Sequence, residues 1–305
     1  MRASLGLPTH HGGELSSAEA ITEVATAAET AGFDAVFVTD HPFPADRWLA
    51  TGGHHALDPF VALSFAAAAT RQLRLHTNLL VLAYRNPFHS AKAVASLDAL
   101  SRGRVIVGVG AGYLEAEFAA LGVDFAERND LTDEAILALR AAWSGESVTA
   151  AGRHWRASGN TMRPRPAQTP GPPIWVGGNS RRAIRRAVEL GDGWMPMPSP
   201  PGSERRLHTP ALASLDDLGT RLAYAREHAV AVGRSEPLEV VFMPGGLDMF
   251  TNAGVDAGRV VDSIGELAER GVTYLTVNLP GDTRGVFLDN LAAFAEGVLR
   301  PVAGL

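Results

Sequence analysis

Short apolar runs alternate with longer amphipathic segments along the whole chain. Residues 36–38 are apolar without interruption, which is typical of a strand covered on both faces in a parallel sheet. The preceding segment, residues 17–31, has apolar residues at helical spacing and ends at Gly32, where a C-terminal glycine is common. Together with an earlier apolar run at residues 3–7, this pattern predicts a strand, a helix and a second, parallel strand.

The same alternation continues to the end of the chain. Strands are predicted at residues 3–7, 33–38, 73–82, 104–109, 173–176, 193–196, 238–243 and 273–278. Helices are predicted at residues 17–31, 60–70, 87–100, 114–120, 129–143, 180–190, 215–232, 258–270 and 286–299. This alternation predicts an α/β fold, a (β/α)8 TIM barrel, whereas the alternative, an open doubly wound sheet, usually has fewer units.

Two longer segments interrupt the alternation. Residues 144–172 are predicted to be an insertion between strands 4 and 5, with a small hairpin at 148–155 and a proline-rich return at 163–173. Residues 197–210, after strand 6, form a loop too long for a routine connection and are a candidate active-site lid. We interpret residues 1–305 as a single barrel domain.

Composition narrows the possible partners. The net charge of −6 comes from interspersed acids and bases, so nothing favours binding to nucleic acid or to an anionic membrane. The absence of cysteine excludes disulfides and thiolate metal sites. No signal-like segment and no apolar stretch of about 20 residues is present. We therefore expect a soluble cytoplasmic protein that binds a small molecule.

Asp40 and His41 are the first candidates for chemistry. They follow the strand at 33–38, and Pro42 prevents that strand from continuing. Active sites of α/β barrels lie at this carboxyl end of the strands, and a carboxylate and an imidazole can transfer protons there. The same three residues also make a good turn, so a structural role stays open.

Three glycines alternate at the end of strand 4, at positions 108, 110 and 112. They do not fit the dinucleotide fingerprint of a Rossmann fold, because they follow the fourth strand and the third glycine comes one residue early. Glycines here allow a flat ring to approach the backbone closely, or they allow adjacent barrel elements to pack. The sequence leaves both interpretations open.

The Gly-Gly-Asn-Ser turn at residues 177–180 joins strand 5 to its helix. Free N–H groups at a helix start, together with the helix dipole, favour binding of a phosphate group. Arginines at positions 181, 182, 185 and 186 add positive charge, although at least half of them should simply face solvent.

Two hydrolase classes are less well supported. His54, His55 and His76 could join Asp40 and His41 around a metal, yet their spacing matches no metal-binding motif. A Gly-x-Ser-x-Gly nucleophile elbow is absent from the sequence.

Seven segments spread along the chain carry a family resemblance. They are residues 38–41, 78–87, 97–104, 108–118, 162–166, 173–180 and 191–194. Together they resemble the luciferase-like monooxygenase superfamily, and more narrowly its branch that uses the deazaflavin coenzyme F420. The resemblance implies a flavin or deazaflavin lying across the barrel mouth.

The resemblance also implies roles for the candidate residues. His41 would donate or accept a proton beside the reacting carbon, and Tyr113 could assist. A bulged third strand with a non-proline cis peptide at Asn78–Leu79 would lie behind the ring. The cofactor-binding residues that it implies are Asp40, Thr77, Asn78, Leu79, Gly110, Ala111, Gly112, Gly177, Gly178, Asn179, Ser180 and Met195. No metal ligand is implied.

One position departs from the pattern. Some deazaflavin sugar-phosphate dehydrogenases of the superfamily have a catalytic glutamate after the glycine run, where this chain has Tyr113, with Glu115 two residues later. This argues against sugar-phosphate chemistry.

We expect an F420-dependent oxidoreductase that transfers hydride to or from a small organic substrate. The alternatives are an FMN-dependent monooxygenase that uses O2 and a separate reductase, and a flavin-binding protein without turnover. Small residues in the helices at 60–70 and 87–100, together with the resemblance, suggest a homodimer.

Overall fold

The computed structural model describes residues 1–9, 13–243 and 256–304. The strands are β1 Arg2–Gly6, β2 Ala35–Val38, β3 Arg74–Val81, β4 Val105–Gly110, β5 Val148–Ala151, β6 Arg156–Asn160, β7 Ile174–Gly177, β8 Gly193–Met195, β9 Glu239–Phe242 and β10 Tyr274–Val277. All except β5 and β6 are parallel and close into a barrel in the order β1-β10-β9-β8-β7-β4-β3-β2. The predicted (β/α)8 barrel is confirmed.

Helices connect the barrel strands. They are α1 Ala18–Ala31, α2 Asp46–Leu49, α3 Pro59–Ala69, α4 Pro87–Ser101, α5 Glu115–Ala120, α6 Arg128–Trp143, α7 Arg181–Leu190, α8 Glu204–Leu207, α9 Leu215–Ala231, α10 Ala257–Glu269, α11 Arg284–Phe294 and α12 Arg300–Val302. Short 3-10 turns cover Gly13–Ser16, Leu82–Tyr84 and Phe125–Glu127, and a π-helical turn covers Ala295–Leu299. No helix in the described ranges is both long and apolar enough to cross a bilayer.

Local sequence signals explain where helices begin and end. Ser17 caps α1 by accepting a hydrogen bond from the Ala20 N–H at 3.1 Å. Gly32 ends that helix with φ 91°, a left-handed conformation that glycine adopts without steric cost. The chain then turns directly into β2, which delivers Asp40 and His41 to the barrel mouth.

Side chains fill the barrel interior. Ile106, Trp175, Met195 and Tyr274 belong to one buried apolar cluster, and the Trp175 ring lies 4.8 Å from that of Tyr274. His76 packs edge-on to Trp175 at 5.0 Å, and burial lowers the pKa of His76 to about 3. His76 is therefore a neutral residue packed in the barrel core, below the mouth where Asp40 and His41 lie.

The two interrupting segments differ in part from the prediction. The hairpin consists of β5 and β6 and ends at Asn160, so the predicted bounds of 148–155 were too short. The second strand of the hairpin was placed too early in the sequence, because only Ala157 in β6 is buried and no apolar alternation marks this strand. The loop at 197–210 contains the short helix α8, and a β-bridge between Ser199 and Leu212 closes it. That this loop acts as a lid stays a prediction.

Candidate active site

A cavity of about 270 Å³ opens at the carboxyl ends of the barrel strands. The predicted site residues that line it are Asp40, His41, Asn78, Leu79, Gly110, Gly112, Tyr113 and Met195. Apolar side chains that the sequence did not indicate complete much of the wall, namely Phe37, Val81, Pro196, Met197, Val241 and Met243. The structure thus brings most of the candidate residues together in a largely apolar chamber.

His41 is held by a buried carboxylate, Glu117. The His41 Nδ1 lies 3.3 Å from Glu117 Oε2, and the Glu117 side chain has no solvent exposure. Glu117 also accepts hydrogen bonds from the Phe43 N–H and the Tyr84 hydroxyl, both at 2.9 Å. An ionised carboxylate is only an acceptor, so it places the proton of His41 on Nδ1 and leaves Nε2 on the side of the ring away from Glu117.

The electrostatics support this arrangement. Burial pushes the pKa of Glu117 upwards, but the hydrogen bonds from His41, from the Phe43 N–H and from Tyr84 outweigh it and lower the pKa below its usual value. Burial, reinforced by the Glu117 charge, raises the pKa of Tyr84 and of Tyr113. Glu117 is therefore charged at neutral pH, and both tyrosines keep their protons as potential donors.

Asp40 has a structural partner as well as a place in the cavity wall. Its Oδ1 accepts a hydrogen bond from Arg85 Nη2 at 2.7 Å, and its Oδ2 accepts one from the Val81 N–H at 3.1 Å. Burial raises the pKa of Asp40, and the Arg85 charge offsets this only in part. Asp40 thus ties the end of β2 to the end of β3.

The third strand has the bulge and the cis peptide that the family resemblance implied. The register of β3 against β4 shifts between Thr77 and Leu80, and the Asn78–Leu79 peptide is cis. Leu79 lies against two glycines: a Cβ added at Gly110 would be 3.0 Å from Leu79 Cδ1, and one added at Gly177 would overlap it. These two glycines make room for Leu79, which in turn forms the cavity wall.

Two of the predicted residues on β3 and just after β4, Thr77 and Ala111, do not line this cavity. Thr77 is buried, and its hydroxyl donates a hydrogen bond to the Gly108 carbonyl oxygen at 2.9 Å. Gly108 packs against His76 and the Thr77 carbonyl, so this glycine serves barrel packing. Ala111 is partly exposed between the two glycines that do line the cavity.

The Gly-Gly-Asn-Ser turn precedes α7, as predicted, but it does not line the cavity. The Ser180 hydroxyl caps α7 by accepting the Ala183 N–H at 3.1 Å. The Asn179 amide donates hydrogen bonds to the carbonyl oxygens of Met197 and Pro210, at 2.8 and 3.0 Å. The Asn179 side chain therefore fixes the loop after β8. The first-turn N–H groups of α7 that Ser180 does not cap are the donors that helix geometry leaves for an anion.

The arginines of α7 face other helices. Arg186 is buried and pairs with Asp133 of α6, and Arg182 also bonds to Asp133, at 2.6 Å. Arg181 lies over the Tyr224 ring of α9, with its Cζ 5.2 Å from the ring centroid. Arg181, Arg182 and Arg185 are exposed, as the sequence suggested for at least half of the four arginines, and from this solvated face they also contact α6 and α9.

Aromatic rings surround His41 at the rim. Its ring centroid lies 4.7 Å from Trp48, 5.1 Å from His54 and 6.2 Å from Tyr113. Burial lowers the pKa of His54, which makes it a neutral neighbour. Within the described ranges, no group of three or more His, Cys, Asp or Glu side chains is arranged to hold a metal ion.

Sequence reasoning missed the residues that support His41 and Asp40. Tyr84 and Arg85 follow the end of β3, so their place after a barrel strand could have marked them. The sequence does not show which side of α5 faces the barrel, so Glu117 could not be distinguished from Glu115. Glu117 is buried, whereas the Glu115 side chain is more than half exposed and its Oε1 lies 3.4 Å from His208 Nε2.

Comparison with known proteins identifies the family. A family model described as luciferase-like monooxygenase matches residues 1–213. The chain belongs to this family. It is 33% identical over 314 aligned positions to an F420-dependent glucose-6-phosphate dehydrogenase of Beutenbergia cavernae, and the alignment covers 89% of this chain and 90% of that one.

Two solved structures share the luciferase-like fold. The monooxygenase RslO1 from Streptomyces bottropensis superposes with a TM-score of 0.80 at 23% identity, covering 98% of this chain and 99% of that one. An F420-dependent secondary alcohol dehydrogenase in complex with an F420-acetone adduct gives a TM-score of 0.74 at 18% identity, covering 98% of both chains. At these identities the likeness concerns the fold.

Proposed function

We propose that this protein is an F420-dependent oxidoreductase that transfers hydride between the deazaflavin and a small organic substrate, with His41 as the proton donor or acceptor. The observation that carries the proposal is the His41–Glu117 pair at the rim of an otherwise apolar cavity. The related dehydrogenase of Beutenbergia cavernae supports F420 as the cofactor.

The residues present fit a flat aromatic ring. Leu79, displaced by the bulge of β3, forms one wall of the cavity, and the backbone of Gly110 and Gly112 forms another. Largely apolar lining with a few polar groups is typical of cofactor sites. When bound, F420 would supply the two-electron hydride acceptor or donor.

The remaining roles belong to the chain itself. His41 would exchange a proton with the substrate oxygen through Nε2, because Glu117 occupies its Nδ1. Tyr113, which keeps its proton at neutral pH, would donate a hydrogen bond to the same oxygen. The first-turn N–H groups of α7 that Ser180 does not cap would bind the cofactor phosphate, and Asn179 would hold the adjoining loop in place.

Two alternatives keep the same site. The family also includes monooxygenases, so an FMN-dependent enzyme supplied by a separate reductase is the second candidate. A flavin-binding protein without turnover is the third candidate. Full cofactor retention, with the reaction rate the same in the wild type and in His41→Ala, would favour it.

We also propose a homodimer in the cytoplasm. Val61 and Phe65 on α3 and Leu100 on α4 are exposed apolar residues on the two helices that the sequence suggested for the interface. Light scattering of the purified protein tests the dimer, and cell fractionation tests the location.

A substrate screen tests the proposed reaction. Purified protein with F420 would be offered secondary alcohols, aldehydes, enones and glucose 6-phosphate, while the absorbance of the deazaflavin is followed. Turnover of an uncharged substrate that His41→Ala abolishes, with F420 still bound, supports the proposal. Turnover that requires FMN and O2 contradicts it.

A further inference from the structure

A second cavity, of about 370 Å³, is lined by α4, the end of α6, the hairpin of β5 and β6, and residues 161–163. We call it the hairpin cavity. It shares no lining residue with the active-site cavity, and no barrel strand contributes to its lining. Its volume lies within the range of about 300–1,000 Å³ that is typical of pockets for small ligands.

Apolar side chains form one part of this lining. Phe88 and Met162 are half-buried and pack against the main hydrophobic core, while Ala142 and Ala157 are buried. Trp155 supports Phe88 from the side, with the two rings edge-on and their centroids 5.0 Å apart. The cavity therefore offers a supported surface on which the apolar part of a ligand would lose contact with water.

Three cationic side chains line the same cavity, namely Lys92, Arg156 and Arg163. All three are exposed, and no described lining residue is an acid. Among the described residues, no carboxylate lies within 4.0 Å of their charged nitrogens. The Lys92 ammonium donates one hydrogen bond to the Arg163 carbonyl oxygen, and an ammonium has three donors. The cavity thus has a net positive charge that the described chain does not neutralise.

Backbone packing, and no ion pair, positions Arg163. Gly145 has a φ of 70°, and a Cβ added there would overlap Arg163 Nη1. The guanidinium therefore lies directly against the Gly145 backbone, which only a glycine leaves open at this place.

The hairpin treats its arginines differently at its two ends. Arg153, in the turn between β5 and β6, lies within 4.0 Å of three carboxylates, those of Glu127, Asp130 and Glu134. Arg156, at the start of β6, has no such partner among the described residues. Acids of this chain thus neutralise the arginine of the turn, whereas the cations of the cavity are left for a solute.

We propose that the hairpin cavity binds an organic carboxylate with an apolar alkyl or aryl body. Arg156, Arg163 and Lys92 would bind the carboxylate, since a planar guanidinium donates paired hydrogen bonds to it. Phe88 and Met162 would contact the apolar body. This inference goes beyond the proposed function, because the cavity is separate from the active site.

The surface that we assign to the dimer leaves this cavity open. Val61 and Phe65 on α3 and Leu100 at the end of α4 are the exposed apolar residues of that surface, and none of them lines the hairpin cavity. The purified full-length protein is therefore suitable for binding measurements in its own oligomeric state.

The test compares three probes by isothermal titration calorimetry: 4-phenylbutyrate, 4-phenyl-1-butanol and acetate. At low salt the wild type is expected to bind 4-phenylbutyrate about ten-fold more tightly than the alcohol, with a smaller ratio at higher salt. Acetate is expected to bind more weakly than 4-phenylbutyrate, because it has almost no apolar surface to bury. In the double variant Arg156→Gln, Arg163→Gln, the ratio of acid to alcohol affinity is expected to approach one.

The double variant Arg226→Gln, Arg259→Gln provides the matched control. It removes the same number of charges from exposed positions on α9 and α10 that do not line the cavity, so it should keep the wild-type ratio. The comparison of the acid with the alcohol needs only the wild type, so it tests the inference even where a variant fails to fold.

Three results overturn this inference. The first is failure of the wild type to bind 4-phenylbutyrate, or equal affinity for the acid and the alcohol. The second is a ratio that survives in the Arg156→Gln, Arg163→Gln variant, which would place the acid elsewhere. The third is loss of the ratio in the control variant as well, which would show that only the overall charge of the protein attracts the acid.

Discussion

The Glu117→Gln substitution tests how His41 is positioned. In the wild type Oε1 accepts the Phe43 N–H, and Oε2 serves His41 Nδ1 and the Tyr84 hydroxyl. The Phe43 N–H cannot reverse its role, so the amide oxygen of the substituted side chain must stay there and its NH2 group must face His41 and Tyr84. The Tyr84 hydroxyl can rotate to accept, whereas His41 can accept only by moving its proton to Nε2.

The size of the effect follows from these contacts. In the variant, keeping the proton on Nδ1 would leave two buried donors facing each other without an acceptor, which costs about 1–3 kcal/mol. The tautomer ratio should therefore reverse to at least about ten to one in favour of Nε2–H. With His41 in the wrong tautomer, the Glu117→Gln variant should have a kcat about 100-fold lower than the wild type, while its Kd for F420 stays nearly constant.

Stability changes with a defined pH dependence. We expect the variant to be about 2 kcal/mol less stable at pH 7, because one buried ionic acceptor is lost. The pKa of Glu117 in the folded protein lies below its ordinary value of 4.5. The stabilisation from Glu117 is thus fully present above that value and disappears as the pH falls through the folded pKa. The difference between wild type and variant should therefore shrink in acid.

Nitrogen-15 NMR of histidine-labelled protein reports the tautomer directly, and denaturant unfolding reports the stability. Tyr84→Phe is the control, because it removes a hydrogen bond to Glu117 but leaves the His41 contact. The reasoning is refuted if Glu117→Gln keeps the Nδ1–H tautomer and wild-type kcat.

Three further substitutions test other parts of the site. Arg85→Ala leaves the buried Asp40 carboxylate without its ion-pair partner and should cost about 3 kcal/mol at pH 7. Because the pKa of Asp40 is already raised, the variant should regain stability as the pH falls and Asp40 takes up a proton, which denaturant unfolding measures. Gly177→Ala would push against Leu79 and should cost about 1–3 kcal/mol by thermal unfolding, with weaker F420 binding. Asn179→Ala removes the hydrogen bonds that hold the loop after β8, so limited proteolysis should cut that loop faster.

Controls and contradicting outcomes are available for each of these. Gly219→Ala lies inside α9 with open space around it, and it should stabilise the protein by about 0.5–1 kcal/mol where Gly177→Ala destabilises it. An Arg85→Ala protein whose stability loss grows in acid would contradict the assignment of Asp40. Unchanged proteolysis of Asn179→Ala would show that the bridge between Ser199 and Leu212 holds the loop without Asn179.

The periodic elements could be predicted because their signals are local. Buried strands such as β2 are continuous apolar runs, and a capping serine and a terminal glycine mark the ends of α1. The rule that chemistry lies at the carboxyl ends of barrel strands then placed Asp40 and His41 at the mouth. The cis peptide at Asn78–Leu79 came only from the family resemblance, since no propensity of these residues encodes it.

The partners of the site residues could not be predicted, because they come from distant parts of the chain. Glu117 reaches His41 across 76 residues, and the order of barrel strands alone does not tell which side chain of the α5 turn points inward. Arg85 reaches Asp40 across 45 residues. The turn that contains Asn179 was recognised from the sequence, but the sequence did not show that the Asn179 side chain binds a neighbouring loop.

Parallel titration of the purified protein with F420 and with FMN tests the central claim most directly. The account predicts that F420 binds and shifts its absorbance spectrum, and that FMN binds more weakly. Tight binding of FMN together with failure to bind F420 would contradict it.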